Sequence, residues 1–234
     1  KDGQGSELLF VDKSDVISPA FTHKENMNFN DYKVQVLLPH RLSRLGPKLS
    51  VADVNGDGKE DFFVGGAKDQ SGAIYFQTEN GSFSLSKQAA LIADSKYEDL
   101  GSGFFDADND GDVDLYVVSG GTESSEGANY QDRLYLNDGK GNFTKFAKNL
   151  PTIISSGSCV SFIDFDADGD LDIFRGGRTI PDKYPFPPRS YFLKNNGKGV
   201  FEDVSNIVAK EIMQLGMITS TCVTDLNGDK IPEL

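Results

Sequence analysis

Four stretches of this chain repeat one spacing of carboxylates, and that repetition limits the possible folds more than any other property. They read DVNGDGKED from Asp53, DADNDGDVD from Asp106, DFDADGDLD from Asp164 and DLNGDKIPE from Asp225. Their first residues lie 53, 58 and 61 residues apart. A recurring period of this length marks an array of one supersecondary unit, in which each copy buries its apolar face against the next.

The repetition reaches beyond the acidic stretch. Apolar residues follow and end in paired glycines, as in DFFVGG, DLYVVSGG and DIFRGG. Next come AIYFQTENGSFSLS, RLYLNDGKGNFTKFA and YFLKNNGKGVFEDVS. Alternation in RLYLN and NFTKF fits strands, and the Asn, Asp and Gly between them supply hairpin-turn chemistry. Before each acidic stretch lies a segment of small residues: GPKLSVA, GSGFF, SGSCVSFI and TSTCVT. One unit therefore reads strand, acidic loop, strand, variable loop, strand, tight turn, strand. This predicts an all-β fold, a β-propeller of four-stranded antiparallel blades. The small-residue strands suit the crowded innermost position.

The expected organisation is a single propeller region over residues 1–234. Residues 1–44 are read as the outer strand of a preceding blade plus a lead-in, because LLFVDKSDVISPAF resembles VFEDVSNIVAKEI. Repeats follow at 45–100, 101–157 and 158–216, and 217–234 reads as a truncated one. Three complete blades and a partial one are fewer than closure needs, so the expectation is a fragment of a larger propeller. Its open edges then meet the remaining blades or another chain.

The spacing D-x-[DN]-x-D-G-x-x-D has a chemical reading. Oxygens at positions 1, 3 and 5 converge when the loop curls, Gly at position 6 permits the bend, and the carbonyl of position 7 completes that side. This is the logic of the EF-hand loop, shortened and placed in a hairpin. The expected ligands are Asp53, Asn55, Asp57 and Asp61 with the Lys59 carbonyl. In the second loop they are Asp106, Asp108, Asp110 and Asp114 with the Asp112 carbonyl. In the third they are Asp164, Asp166, Asp168 and Asp172 with the Asp170 carbonyl. Asp225, Asn227, Asp229 and Glu233 form a fourth set that departs from the pattern, with Lys230 at the glycine position. Side chains at positions 4, 7 and 8 are expected to face solvent. Hard oxygen donors without nearby His or Cys select Ca²⁺. Mg²⁺ ranks second, since it demands a tighter octahedron.

Charge supports this reading. The net charge is −13, and windows 53–61, 106–114 and 164–172 hold 14 acidic residues and one lysine. The remaining 22 acidic residues are matched by 22 basic ones. The acidity belongs to three loops, and no basic stripe invites a nucleic acid. No run approaches the ~20 apolar residues of a membrane helix. The two cysteines, Cys159 and Cys222, read as small buried strand residues, and a disulfide between them is left open. His occurs only at His23 and His40, and GxSxG, HExxH and Walker motifs are absent from the sequence, so no enzyme activity is expected.

Alternating strand direction puts the acidic loops and tight turns at one end of each unit. The connections after Gly-Gly emerge at the other end and carry the length variation. The longest, GGRTIPDKYPFPPRS, offers Arg178, Tyr184, Phe186 and Arg189 as candidate contacts to a protein or glycan ligand. A structural spacer, or a non-catalytic part of a polysaccharide-degrading enzyme, are the alternatives.

SVADVNGDGKEDFFVGGA and its copies at Asp106 and Asp164 resemble the FG-GAP/VCBS repeat family, the calcium-bearing repeats of integrin α-subunit propellers and bacterial surface proteins. The stretch GPKLSVADVNGDG after its lead-in is also similar to propellers of the cartilage acidic protein/UnbV-associated group. The resemblance implies calcium at the loops, about seven blades in the whole propeller, and an extracellular, cell-surface or periplasmic setting. Sites with few fixed ligands bind near 10⁻⁴–10⁻³ M, which agrees with a calcium-rich compartment.

Overall fold

The computed structural model describes residues 10–124 and 127–234. Residues 1–9, which include the start of the expected outer strand, and residues 125–126 of the second variable loop lie outside the described residues.

The fold is all-β with little helix. Strands β1 (Ile17–Ser18), β2 (Leu49–Ala52), β3 (Asp61–Val64), β4 (Ala73–Gln77) and β5 (Phe83–Ser86) form the first sheet. Strands β6 (Asp99–Phe105), β7 (Asp114–Ser119), β8 (Arg133–Leu136) and β9 (Thr144–Lys145) form the second. The third contains β10 (Ser156–Ile163), β11 (Asp172–Thr179), β12 (Tyr191–Asn195) and β13 (Phe201–Asp203). Each is an antiparallel meander of four strands in chain order, as the repeat predicts. The first sheet has one addition. β1 pairs in parallel with β5, Ile17 opposite Phe83. The lead-in strand, read from sequence as the outer strand of a preceding blade, thus joins the first sheet. Ile17 and Phe21 there cover Tyr75 and Phe83.

Period-two alternation decides where the cores sit. All six residues of β7 are buried, because both faces of its sheet are covered. Leu115 and Val117 pack with Phe63, Ile74 and Tyr135 against the first sheet. Tyr116 and Val118 point the other way and pack with Ile173, Tyr191 and Leu193 of the third. Such near-continuous apolar runs are what strands buried on both faces require.

The small-residue strands β2, β6 and β10 lie side by side. Ser50 and Ser102 hydroxyls meet at 2.6 Å across the first two. A Cβ on Gly103 would fall 2.4 Å from the Phe162 ring, so only glycine lets β6 approach β10 this closely. Residues 219–224, expected as a fourth such strand, form none; Thr224 makes only a single bridge to Glu233. They still dock on β10, where Ser161 and Thr221 hydroxyls lie 2.5 Å apart. Cys159 lies in β10 and is half-buried, whereas Cys222 is exposed and outside any strand, contrary to its expected burial; both are free thiols. Among the described residues no helix is long and apolar enough to cross a membrane.

Candidate metal centres

The acidic loops connect β2 to β3, β6 to β7 and β10 to β11, and they close by one device. The first aspartate captures backbone N–H groups of the turn it precedes, as Asx turns do. Asp53 Oδ1 accepts from Gly56 at 2.9 Å and Oδ2 from Gly58 at 2.8 Å. Asp106 accepts from Gly111 at 3.1 Å. Asp164 accepts from Asp168 at 3.2 Å and Gly169 at 3.0 Å. Asp225 accepts from Gly228 at 2.6 Å and Lys230 at 2.8 Å. The carboxylates of Asp57, Asp110, Asp168 and Asp229 accept from the N–H two residues on.

This closure sends positions 4 and 6 into the left-handed region in every loop. The pairs are Gly56 and Gly58, Asn109 and Gly111, Ala167 and Gly169, Gly228 and Lys230. A side chain there costs about 1–2 kcal/mol, yet Ala167 adopts φ +60° and Lys230 φ +72°. The fourth loop therefore folds like the others despite its lysine.

Position 9 does two jobs. Asp61, Asp114 and Asp172 are buried, each at the first residue of a strand. One oxygen accepts from loop position 2: Val54 at 3.3 Å, Ala107 at 3.0 Å and Phe165 at 3.3 Å. The other accepts from the end of the neighbouring hairpin: Gln77 at 2.7 Å, Asn137 at 2.8 Å and Asn195 at 2.7 Å. Glu233 accepts from Leu226 at 2.7 Å in the same manner. These carboxylates pin the loop to its sheet and still offer lone pairs inward.

The donor set fits a hard divalent cation. Asp106, Asp108 and Asp114 each place a carboxylate oxygen within 4.8 Å of the other two, and so do Asp164, Asp166 and Asp172. In the second loop Asp106, Asp108 and Asp112 each leave Oδ1 buried without a hydrogen-bond partner. Buried oxygens in that state call for a counter-ion. Burial, reinforced by Asp108 and Asp112, pushes the Asp114 carboxyl up to about 7. Burial raises Asp172 to about 6, with Asp166 and Asp168 adding to it. Asp61 moves in the same direction for the same reason.

The loops are not equivalent. In the third, the Lys194 ammonium contacts Asp166 and lies 3.1 Å from Asp168. In the first, Lys59 pairs with Glu79 at 2.8 Å and reaches Asp57 at 3.4 Å. The expectation that positions 4, 7 and 8 face solvent holds at position 4, where Asn109 and Ala167 are exposed, and fails at position 8 of the second and third loops. Exposed Asn109 also donates to Asp170 across two loops at 2.6 Å. Val113 and Leu171 pack against the cores.

Two residues that sequence reasoning missed hold neighbouring loops together. Asn137 donates to the Val54 carbonyl of the preceding unit at 2.8 Å and to Val113 of its own loop at 3.0 Å. Asn195 repeats this with Ala107 at 2.9 Å and Leu171 at 3.1 Å. The shared signal was the Asn that opens NDGKG and ends the strand before NGKG. Asn195→Ala strips partners from these carbonyls, and the expected loss is about 2 kcal/mol of unfolding free energy; urea denaturation that shows no change rejects the staple.

At the opposite end, the lead-in lies across all three Gly-Gly loops. Gln70 accepts from Lys24 N–H and donates to the Thr22 carbonyl, both at 2.8 Å. Thr122 donates to Asp31 at 2.7 Å. Arg178 and His40 meet at 3.2 Å, and Tyr184 N–H donates to Gln35 at 2.9 Å. Two of the residues expected to contact a ligand are thus already engaged. Arg178 is buried under the lead-in, and Arg189 pairs with Asp203 at 2.5 Å. Tyr184 is half-buried, and Phe186 stands 65% exposed.

The family profile described as an FG-GAP-like repeat matches residues 53–117 and 106–174, which contain the first three acidic loops. It carries no assignment to the cartilage acidic protein/UnbV-associated group. No curated protein matches significantly. The chain is similar to a solved protein of Bifidobacterium bifidum s17 named as an exo-beta-1,3-galactanase, at 15% identity and a TM-score of 0.36, over 67% of this chain and 51% of that one. It is also similar to an Agrocybe aegerita lectin described as recognising non-reducing terminal N-acetylglucosamine, at 19% identity and a TM-score of 0.25, over 65% and 49%. The chain spans about half the length of these two, and superpositions this loose bear on neither fold nor function.

Proposed function

The chain belongs to the FG-GAP-like repeat family, and we propose that it is a calcium-stabilised module of an extracellular, cell-surface or periplasmic protein. Its three sheets act as blades of a propeller, with β2, β6 and β10 innermost. The observation that supports the calcium reading best is the pair of buried, partnerless oxygens on Asp106 and Asp108, whose carboxylates converge with that of Asp114. Calcium is the cation these donors suit, being large, hard and tolerant of irregular coordination. Asp53, Asn55, Asp57 and Asp61, Asp106, Asp108 and Asp114, and Asp164, Asp166 and Asp172 are the residues that hold it. Asp225, Asn227, Asp229 and Glu233 offer a weaker, more exposed fourth place.

The role of such a rigid frame is to present loops. Phe186 borders an open groove of ≈ 600 Å³ with Ile180, Lys183, Pro187 and Gln214. An exposed aromatic beside a proline-rich wall suits a protein segment or the apolar face of a sugar. Catalysis has no part in this reading; His23 is bonded to Glu25 at 2.8 Å and His40 to Arg178. A glycan array and a panel of immobilised matrix proteins, each probed in calcium, test the recognition. The affinity of any ligand found is expected to fall about tenfold or more in Phe186→Ala; unchanged affinity rejects the groove.

A further inference from the structure

The second and third acidic loops carry the same ligands. Aspartate stands at positions 1, 3, 5, 7 and 9 of each: Asp106, Asp108, Asp110, Asp112 and Asp114 in one, Asp164, Asp166, Asp168, Asp170 and Asp172 in the other. In both, the carboxylates of positions 1, 3 and 9 converge within 4.8 Å. In both, position 1 captures the N–H of position 6. Whatever sets the two loops apart therefore comes from outside their nine residues.

One side chain does so. The third strand of each unit ends in AIYFQ, RLYLN or YFLKN, and the residue before the last is Phe76, Leu136 or Lys194. Phe76 packs into the core between the first and second sheets, and Leu136 into the core between the second and third. Lys194 holds the same place on the third sheet, on the face that carries Phe192 two residues back. Its ammonium turns to the acidic loop of its own unit, contacting Asp166 and lying 3.1 Å from Asp168. Leu136 offers the second loop no charge, and Asp106 and Asp108 there each keep a buried oxygen without a partner. Among the described residues, no aspartate of the third loop is left in that state.

Ammonium and metal want the same oxygens. The lysine head is a compact point charge on a flexible stem, and it offsets the repulsion between Asp166 and Asp168. A divalent ion held by Asp166 would be repelled by an ammonium left beside it. Loading the third loop therefore includes moving Lys194 away. Its side chain is 38% exposed and has solvent to swing into. The second loop requires no such exchange.

We propose that Lys194 is the resident counter-ion of the third loop, displaced when metal binds, and that this exchange makes the third loop the weaker of two otherwise matched sites. The proposal rests on the calcium reading of the loops. The second loop fills first. The third stays compensated while calcium is scarce and loads only as calcium rises.

Calorimetric titration of the full chain with CaCl₂, beside Lys194→Met and Lys194→Arg, tests it. Lys194→Met removes the charge and is expected to tighten one weak site about tenfold, leaving the others unchanged. Lys194→Arg keeps the charge and is expected to bind as the parent does. Adding Asp166→Ala to Lys194→Met is expected to abolish the tightened site, which assigns it to the third loop. Melting supplies a second readout. In EDTA Lys194→Met is expected to melt below the parent, its carboxylates uncompensated, and in saturating calcium level with it. Calcium uptake with the same affinities in the parent and Lys194→Met overturns the proposal and leaves the loops as calcium sites. A melting deficit of equal size in EDTA and in calcium also overturns it, because Lys194 is then a structural ion pair and nothing more. No uptake by any of these proteins overturns the calcium reading itself, and the proposal with it.

Discussion

Chelating calcium with EDTA is expected to lower the thermal midpoint by about 5–10 °C for each aspartate loop emptied. An ion bound only by the folded state at a hundredfold excess over Kd contributes about 2.7 kcal/mol. In a domain of this size each kcal/mol moves the midpoint by about 2–4 °C. The drop should deepen with pH. Without the ion, Asp114 titrates at about 7 and Asp172 at about 6 in the folded chain, above the ~3.9 of an unfolded aspartate. A folded-state value above the unfolded one gives stability that is complete below the unfolded pKa and lost as pH rises through the folded pKa. In EDTA the midpoint should therefore fall between pH 5 and pH 8, and millimolar calcium should flatten that slope. Differential scanning calorimetry at both pH values decides it. A transition indifferent to EDTA would remove calcium from the account of this fold.

Replacing Arg175 with methionine is expected to cost about 3–5 kcal/mol, the usual penalty for stranding a buried charge. Arg175 on β11 is fully buried, and its Nε lies 3.0 Å from Asp132 of the neighbouring unit, itself fully buried. The guanidinium also donates to the Ser155 hydroxyl at 2.9 Å. Asp132 accepts from the Tyr116 hydroxyl at 2.8 Å and Ser119 N–H at 2.9 Å. The second and third sheets are thus clasped by a network buried from solvent. Gly157 belongs to the device, since a Cβ there would fall 2.6 Å from the guanidinium carbon. The double variant Arg175→Met/Asp132→Leu should recover much of the loss, because it removes the uncompensated charge. Urea denaturation of the set measures this. A single-variant loss below ~1 kcal/mol would mean that the clasp is peripheral to stability.

The repeat and its loops were legible because their causes are local. Within nine residues, Asp53 reaches the N–H groups of Gly56 and Gly58, and the same spacing forces the same turn in each copy. Alternation likewise announced β8 in RLYLN, and the apolar runs ahead of the paired glycines announced β7 and β11, which are buried along their whole length. Even Lys230, which broke the written pattern, did not break the turn, because the captured N–H groups outweigh about 1–2 kcal/mol of backbone strain.

What only the tertiary structure decided involves partners far apart along the chain. Thr122 meets Asp31 across 91 residues, Arg178 meets His40 across 138 and Tyr184 meets Gln35 across 149. These contacts turned the lead-in from an expected outer strand of another blade into a strap over the Gly-Gly loops, and they removed Arg178 from the exposed surface. The reach of Lys194 into the third acidic loop was equally invisible, as was the staple made by Asn137 and Asn195. A loop's own spacing sets which atoms can converge within it. Which distant group comes to cover that loop depends on how whole sheets pack, and no short window of residues encodes that.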